Sequence, residues 1–238
     1  MNRTKVILAV VIIVPIVGGY LGFQWWSQGG GGRRVQTFAW FRDNSLFPEK
    51  RMQAGDRCGD APFVFPTDGI IGFIWGDSFR AGNRHQGLDI FPGTSPGDTP
   101  VFAAYPGYLT RLPDWKSSVI IRVPSDPLNP DRQIWTYYTH MADAQGNSFV
   151  DAAFPPGTSE VYVETGTLLG YQGNYSGNPA NPTGNHLHFS IVEDNGRGSF
   201  KNELEISNTI DPSPYFGMAL NADINPDEIP VCLTAEES

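Results

Sequence analysis

The sequence predicts a mainly β domain built of antiparallel sheets and preceded by an N-terminal transmembrane helix. The 27 Gly and 20 Pro residues make up about a fifth of the 238 residues, against roughly 12% in an average protein. Short runs of β-branched and aromatic residues alternate with turn signals, a pattern typical of strands. No stretch after residue 35 keeps a helical apolar period for three turns. An aromatic content of 13% excludes a disordered chain.

The N-terminal helix is predicted at residues 6–26. This segment begins with 18 residues without a charge and ends in a tandem tryptophan pair, which suits a bilayer core followed by its headgroup region. Arg3 and Lys5 favour a cytoplasmic position for residues 1–5. A cleaved secretory signal is the alternative, although an A-x-A cleavage site is missing from the sequence. A buried core helix is the third interpretation.

The rest of the chain is expected outside the cytoplasm, anchored to the membrane or secreted if the segment is cleaved. All 25 acidic residues but only 12 of the 16 basic residues follow residue 34, which gives this part a net charge of −13. Such an acidic surface excludes a nucleic-acid partner, because phosphate contacts need clustered Lys and Arg. We expect the protein to be a monomer.

The chain divides into a connecting segment, a domain and a tail. Residues 27–63 begin with a glycine-rich linker and continue irregularly, residues 64–216 form the domain, and residues 217–238 form an acidic tail. Cys58 and Cys232 are the two cysteines, and in an oxidising compartment such a pair usually forms one disulfide. Two free thiols are the alternative. Within the domain, strands are predicted at residues 101–105, 118–123, 134–140, 161–163, 168–171 and 186–192.

The four histidines are the candidate functional residues. His186 and His188 form an H-x-H pattern that places both side chains on one face of a strand. His85 and Asp89 form H-x-x-x-D, which is expected to put both on one strand face, with an intervening glycine that allows close approach to a ligand. His140 ends an aromatic strand. Three protein ligands with an open position are typical of catalytic zinc, while exposed strand histidines remain the alternative.

The order of these motifs resembles the lysostaphin-type (LytM-type) zinc endopeptidases of bacterial cell walls. The segments Arg84-His-Gln-Gly-Leu-Asp-Ile90, Asp98-Thr-Pro-Val-Phe-Ala-Ala-Tyr-Pro-Gly107, Tyr137-Tyr-Thr-His140, Gly184-Asn-His-Leu-His-Phe189 and Ile210-Asp-Pro-Ser-Pro-Tyr215 carry the resemblance. It covers about residues 64–216.

The resemblance implies a groove over a zinc site and a zinc metallopeptidase that hydrolyses peptide bonds of peptidoglycan. It implies His85, Asp89 and His188 as Zn²⁺ ligands, with His140 and His186 as catalytic residues beside the metal. Which of the two is the general base stays open. The alternatives are a LytM-like module without catalysis, which binds the wall or activates another hydrolase, and a zinc hydrolase of other peptides.

The sequence departs from the family pattern next to the site. Asn185 replaces a proline before H-x-H, and residues 174–183 form a long loop rich in Asn and Pro. These departures bear on substrate choice. A further hypothesis is that residues 33–63 lie in the groove and repress the enzyme, to be tested by comparing chains that start near residues 35 and 62.

Overall fold

A computed structural model describes residues 32–78 and 82–232 of the chain. Within these residues the architecture is an eight-stranded antiparallel sheet and a separate two-stranded sheet. The helices are α1 (Gly32–Arg42) and α2 (Ser213–Phe216), with 3₁₀ turns at Pro48–Lys50 and Ile206–Asn208. The strands are β1 (Ile70–Phe73), β2 (Leu88–Phe91), β3 (Pro100–Phe102), β4 (Gly107–Thr110), β5 (Val119–Val123), β6 (Ile134–Thr139), β7 (Val161–Val163), β8 (Leu168–Tyr171), β9 (Leu187–Glu193) and β10 (Thr209–Ile210).

The large sheet has the strand order β1-β2-β9-β6-β5-β4-β7, and β10 pairs with the C-terminal end of β9. The small sheet pairs β3 with β8. The main core lies on one face of the large sheet and includes Leu187, Phe189 and Ile191 of β9, all fully buried. These side chains alternate along the strand, as period-2 geometry requires, so His188 points to the opposite face together with its neighbours on β2 and β6.

The mainly β, antiparallel prediction is confirmed, and all six predicted strands are present with ends shifted by at most a few residues. β2 (Leu88–Phe91) lies at the end of the strand that the H-x-x-x-D spacing implies, and the prediction lacks β1, β4 and β10. β1 is a short apolar run buried along most of its length, and such a run lacks the alternation that marks a half-buried strand.

The connecting segment was expected to be irregular after its glycine-rich linker, but it contains the helix α1. The buried face of this helix includes Arg33, Gln36 and Thr37 as well as Trp40. A helix that buries polar side chains has no apolar period, so the sequence pattern concealed it. Trp40 packs with Ile70, Phe91 and Ile229 in a second, smaller core.

The C-terminal segment, predicted as an acidic tail, packs against the domain over its described residues. Met218, Leu220 and Ile229 are buried, and the backbone N–H of Trp75 donates to the Leu220 carbonyl over 3.1 Å. Cys58 and Cys232 are joined by a disulfide, as the sequence predicts. Residues 217–232 therefore pack onto the domain.

Across residues 32–78 and 82–232, no helix combines the length and the apolar character needed to cross a membrane. The anchor predicted at residues 6–26 lies outside the described residues.

Candidate metal and catalytic site

The candidate site forms where β9 runs between β2 and β6. The register sets Asp89 of β2 directly opposite His188 of β9, and Thr139 of β6 opposite the same histidine on its other side. His140 follows directly after β6. Antiparallel pairing thus brings together side chains from positions 89, 140 and 188, which are far apart in the chain.

Three ligand-type atoms converge at this point. Asp89 Oδ1 lies 2.8 Å from His188 Nδ1 and 3.0 Å from His85 Nε2, and the two histidine nitrogens are 3.1 Å apart. Two donors that each lie about 2.0–2.1 Å from a tetrahedral Zn²⁺ are roughly 3.3 Å apart. The residues therefore fit a zinc ion in the spacing and in the chemistry of their donors.

His85 reaches this cluster from an irregular segment that precedes β2, so the expectation that His85 and Asp89 share a strand face is wrong. Its backbone N–H donates to the Asp77 carbonyl over 2.7 Å, and its side-chain Nδ1 lies 3.0 Å from the Ile74 carbonyl oxygen. A Cβ atom on Gly87 would lie 2.0 Å from the Phe189 carbonyl oxygen. The glycine thus admits the backbone of β9, whereas the sequence suggested a ligand.

The hydrogen bonds of His85 determine which nitrogen is free to bind a cation. A carbonyl oxygen can only accept, so Nδ1 carries the hydrogen and donates it to Ile74. In the neutral imidazole the Nε2 lone pair then faces Asp89 Oδ1 and His188 Nδ1. Three acceptors at such short range repel one another unless a proton or a metal ion lies among them. A bound cation would take the place of that proton.

The pKa values at the cluster reflect burial opposed by these charges. Burial lowers the pKa of His85, but Asp89, the Ile74 carbonyl and Asp77 together raise it by more, so the net shift of this pKa is upward. Burial works against ionisation of Asp89, yet His85 and His186 hold its pKa well below the usual range. Burial also dominates at His188 and lowers its pKa. Asp89 is therefore an anionic ligand at neutral pH.

His140 and His186 lie together beside this cluster. Their ring centroids are 4.5 Å apart. His186 Nδ1 donates to the Gly184 carbonyl over 2.8 Å, and its Nε2 lies 3.5 Å from Asp89 Oδ1. His140 Nδ1 donates to the Tyr175 carbonyl over 2.6 Å. All five residues that the resemblance implies are thus in one place.

His140 is a neutral imidazole in a strained backbone conformation. Burial and the neighbouring His186 and His188 lower its pKa to about 3, so Nε2 keeps a lone pair at physiological pH, and a pKa this low makes the ring a weak base. Its backbone φ is 72°, a left-handed conformation that costs roughly 1–3 kcal/mol for a residue other than glycine and is frequent at functional sites.

A groove of about 580 Å³ opens above the four histidines and Asp89. Its lining comes from residues between 85 and 204, including Trp115, Tyr137 and Tyr175. No described residue of the segment 33–63 lines this groove, so the hypothesis that the segment fills it is wrong for the described residues; its helix α1 packs beside the groove, against Phe91. The physical reason is that α1 is held against Gly72 and Asp77 by buried hydrogen bonds.

Three supporting residues could not be found from side-chain patterns. Ile74 and Tyr175 act through backbone carbonyls, which leave no mark on the sequence. Arg33, with 1% of its side chain exposed, forms two hydrogen bonds of 2.7 Å with the Asp77 carboxylate. Arg33 follows an apolar segment, where a basic residue is usually interpreted as a membrane flank, but the structure buries it in an ion pair with Asp77, whose backbone carbonyl accepts the His85 N–H.

Solved structures show what the chain is similar to. The catalytic domain of the antimicrobial peptidase lysostaphin from Staphylococcus simulans is 21% identical, with 60% of this chain and 89% of that chain covered and a TM-score of 0.40. A second lysostaphin structure from the same organism is 21% identical, with 62% of this chain and 49% of that chain covered and a TM-score of 0.41. The present chain thus spans about half of that longer protein.

A mutant catalytic domain of the prophage-encoded M23 protein EnpA from Enterococcus faecalis is 21% identical, with 63% of this chain and 95% of that chain covered and a TM-score of 0.38. No family model matches the chain, and neither does any curated protein. The solved structures thus include the lysostaphin type that the motifs resemble.

Proposed function

We propose that the protein is a zinc metallo-endopeptidase that acts outside the cytoplasm on the peptides of peptidoglycan, anchored to the membrane by residues 6–26. The observation that carries this proposal is the convergence of His85 Nε2, Asp89 Oδ1 and His188 Nδ1 within 2.8–3.1 Å at the floor of an open groove. The choice of peptidoglycan is supported by the motif resemblance.

The three converging residues would hold the metal through one atom each. Zn²⁺ bound there would polarise a carbonyl oxygen and lower the pKa of water. His85 and Asp89 are in turn held by their neighbours, since the Ile74 carbonyl orients the His85 ring and β-sheet pairing orients Asp89. Such outer contacts normally contribute to metal affinity.

His140 is the residue best suited to accept the proton of the attacking water. Its Nδ1 hydrogen is engaged by the Tyr175 carbonyl, which leaves Nε2 as the nitrogen with the lone pair, and the residue lines the groove. A general base must lie within hydrogen-bond reach of the proton it removes. His186 lies at its side and is the second group available to contact the reacting atoms.

Metal analysis of purified variants tests the ligand assignment. His188→Ala and Asp89→Ala should lose stoichiometric zinc, because each removes one of three ligands. His140→Ala is the matched control, since it removes an adjacent imidazole that we do not assign to the metal, and it should keep zinc while losing turnover. Full zinc retention by His188→Ala would contradict the assignment.

Digestion of purified peptidoglycan, with and without chelator, tests the reaction. Mass analysis should find new peptide termini that are absent with chelator and with His140→Ala. Binding to the polymer without any released fragment would instead favour the non-catalytic module. Membrane fractionation and N-terminal sequencing of the mature protein test the anchor, because a cleaved signal would leave a soluble chain that lacks residues 6–26.

A further inference from the structure

The exposed residues of α1 are two arginines and two phenylalanines, namely Arg34, Phe38, Phe41 and Arg42. At 3.6 residues per turn, their positions all fall within about 100° of the helix circumference. The opposite side of the helix is buried, against β1 and in the second core. The helix therefore presents one surface to its surroundings, which is both basic and aromatic. We call this surface the α1 face.

The two phenylalanine rings of the α1 face form an exposed apolar pair. Phe38 is 54% exposed and Phe41 is 43% exposed, and their ring centroids are 5.8 Å apart. Clustered exposed apolar side chains mark binding surfaces. The carboxylate of Asp43, which follows Arg42, is turned to the N–H and the hydroxyl of Ser45. A partner of this face thus has to accept aromatic rings together with positive charge.

The α1 face lies in the basic part of an acidic protein. Residues 32–57 contain six basic and three acidic residues, whereas residues 58–238 contain 22 acidic and eight basic residues. Arg33 is buried and paired with Asp77, but the segment stays basic without it. An anionic surface therefore repels most of the domain and attracts this segment, which turns the α1 face toward that surface.

The position of α1 in the chain brings this face close to a membrane. In the proposed anchored protein, residues 6–26 end in the tryptophan pair at the headgroup region. The helix begins six residues later, at Gly32, and six residues span at most about 20 Å. Aromatic rings combined with basic side chains are also typical of helices that lie in the membrane interface and contact anionic lipids.

We propose that the α1 face binds the surface of the membrane that holds the anchor. Phe38 and Phe41 insert at the headgroup boundary, and Arg34 and Arg42 contact anionic lipid headgroups. The inference rests on the anchor in the proposed function and adds to it an orientation of the domain.

Docking of the α1 face would hold the candidate site next to the bilayer. The ring centroids of Phe41 and Phe91 are 4.7 Å apart, and Phe91 is stacked on His186 at 5.0 Å. The helix α1, which the structure describes throughout, contributes no lining residue to the groove above the histidines. Lipid contact at the α1 face therefore leaves that groove open. The peptides within reach would be those close to the membrane.

Fluorescence quenching of the full-length protein in lipid vesicles tests this inference without catalysis. The vesicles contain phosphatidylglycerol and phosphatidylcholine, and some of the lipids carry a nitroxide quencher just below the headgroup. Phe38→Cys is labelled with an environment-sensitive aromatic fluorophore, while the native cysteines stay in their disulfide. Tyr162→Cys is the matched control, because Tyr162 is 53% exposed on β7, at the opposite edge of the large sheet from β1. We expect strong quenching at position 38 and little at position 162.

Substitutions combined with the label at position 38 separate the two kinds of contact. Arg42→Ala should lower the ratio of docked to undocked protein about fivefold, which is the contribution of one basic residue at an anionic surface. Phe41→Ala should lower this ratio as well, because it removes buried apolar area. Arg197→Ala is the control, since it removes an exposed arginine in the loop after β9 and should leave the ratio unchanged. Vesicles of phosphatidylcholine alone should weaken the docking.

The outcomes distinguish the docking from the anchor and from the peptidase. Equal quenching at positions 38 and 162, or none at either, in protein that stays in the vesicles would overturn the docking and leave the anchor. Protein that washes off all vesicles would refute both. Quenching at position 38 alone, in protein that releases no peptide from peptidoglycan, would support the docking and refute the peptidase. Cross-linking between two copies of the Phe38→Cys variant, without quenching, would overturn the docking and indicate an interface between copies.

Discussion

Removal of one partner from the buried ion pair between Arg33 and Asp77 should strongly destabilise the fold. Their side chains are 1% and 3% exposed, and removal of one partner from such a pair leaves an uncompensated buried charge. We therefore expect Arg33→Met to lower the free energy of unfolding by about 3–5 kcal/mol. The neighbouring Arg34 is the matched control, because it is 47% exposed and lies 3.8 Å from Asp77, which predicts a loss of about 0–1 kcal/mol for Arg34→Met.

The contacts around Arg33 narrow the loss of unfolding free energy that we expect for Arg33→Met. Arg33 donates to the Gly72 carbonyl over 3.2 Å in addition to its two bonds to Asp77. The Asp77 carboxylate also accepts the backbone N–H of Ile74 over 2.9 Å, and this bond survives the substitution. Arg34 remains close enough to offset part of the charge. These contacts place the expected loss of Arg33→Met near 3 kcal/mol, the lower end of that range.

Urea unfolding of the full chain in chelator measures the effect. With a slope of about 2–3 kcal/mol per molar urea, a loss of 3 kcal/mol moves the midpoint by at least about 1 M. The double variant Arg33→Met with Asp77→Leu should recover only part of the loss: an apolar pair often replaces a buried ion pair without destabilisation, but the buried Ile74 N–H loses its acceptor, which costs about 1–3 kcal/mol.

Zinc affinity provides a second readout for the same variant. Asp77 and Ile74 both hydrogen-bond to His85, so Arg33→Met should also weaken zinc binding, by up to about 10–100-fold as for other residues that orient ligands. If Arg33→Met and Arg34→Met unfold within about 1 kcal/mol of each other, the ion pair does not stabilise the fold and this reasoning fails.

Two other predictions concern the framework of the site. Gly87→Ala would bring a Cβ atom to 2.0 Å from the Phe189 carbonyl oxygen, so it should lower the free energy of unfolding by about 1–3 kcal/mol and should reduce the amount of bound zinc. Gly184→Ala is the control, because its Cβ atom would have its nearest contact at 4.0 Å and the change should be close to neutral. Equal effects of the two substitutions would contradict the packing argument. Cys58→Ser opens a loop of 174 residues and should lower the free energy of unfolding by about 5 kcal/mol in the chain-entropy model. Reductant should then destabilise the wild type and leave the variant unchanged.

The strands and the site histidines could be predicted from sequence because they leave local patterns. The H-x-H pair needs only the alternation of side chains along a strand, and β9 shows it, with Leu187 and Phe189 in the core and His188 opposite. The sequence correctly predicts that His85 lies near Asp89, but it wrongly predicts that both residues lie on one strand. A spacing of four residues does not reveal where β2 begins.

The remaining parts of the site depend on contacts over long separations. The Tyr175 and Ile74 carbonyls contribute backbone atoms, which every residue has, so no residue type could indicate them. Arg33 and Asp77 are 44 positions apart, and a basic residue after an apolar segment is more naturally interpreted as a membrane flank. The pairing of an early arginine with a later aspartate becomes visible only when the fold is known.

These contacts change how the segment before the domain should be tested. The helix α1 supports the His85 segment through the Arg33–Asp77 pair, and its Phe38 and Phe41 line a second groove that shares Asp89 and His186 with the candidate site. A chain that starts near residue 35 already lacks Arg33, and one that starts near residue 62 lacks the whole helix and Cys58 as well. Loss of activity in either chain would therefore report a damaged site and would not measure repression. Single substitutions on the exposed face of the helix, such as Phe41→Ala, leave the ion pair and the disulfide in place, so they test the helix surface without damaging the framework of the site.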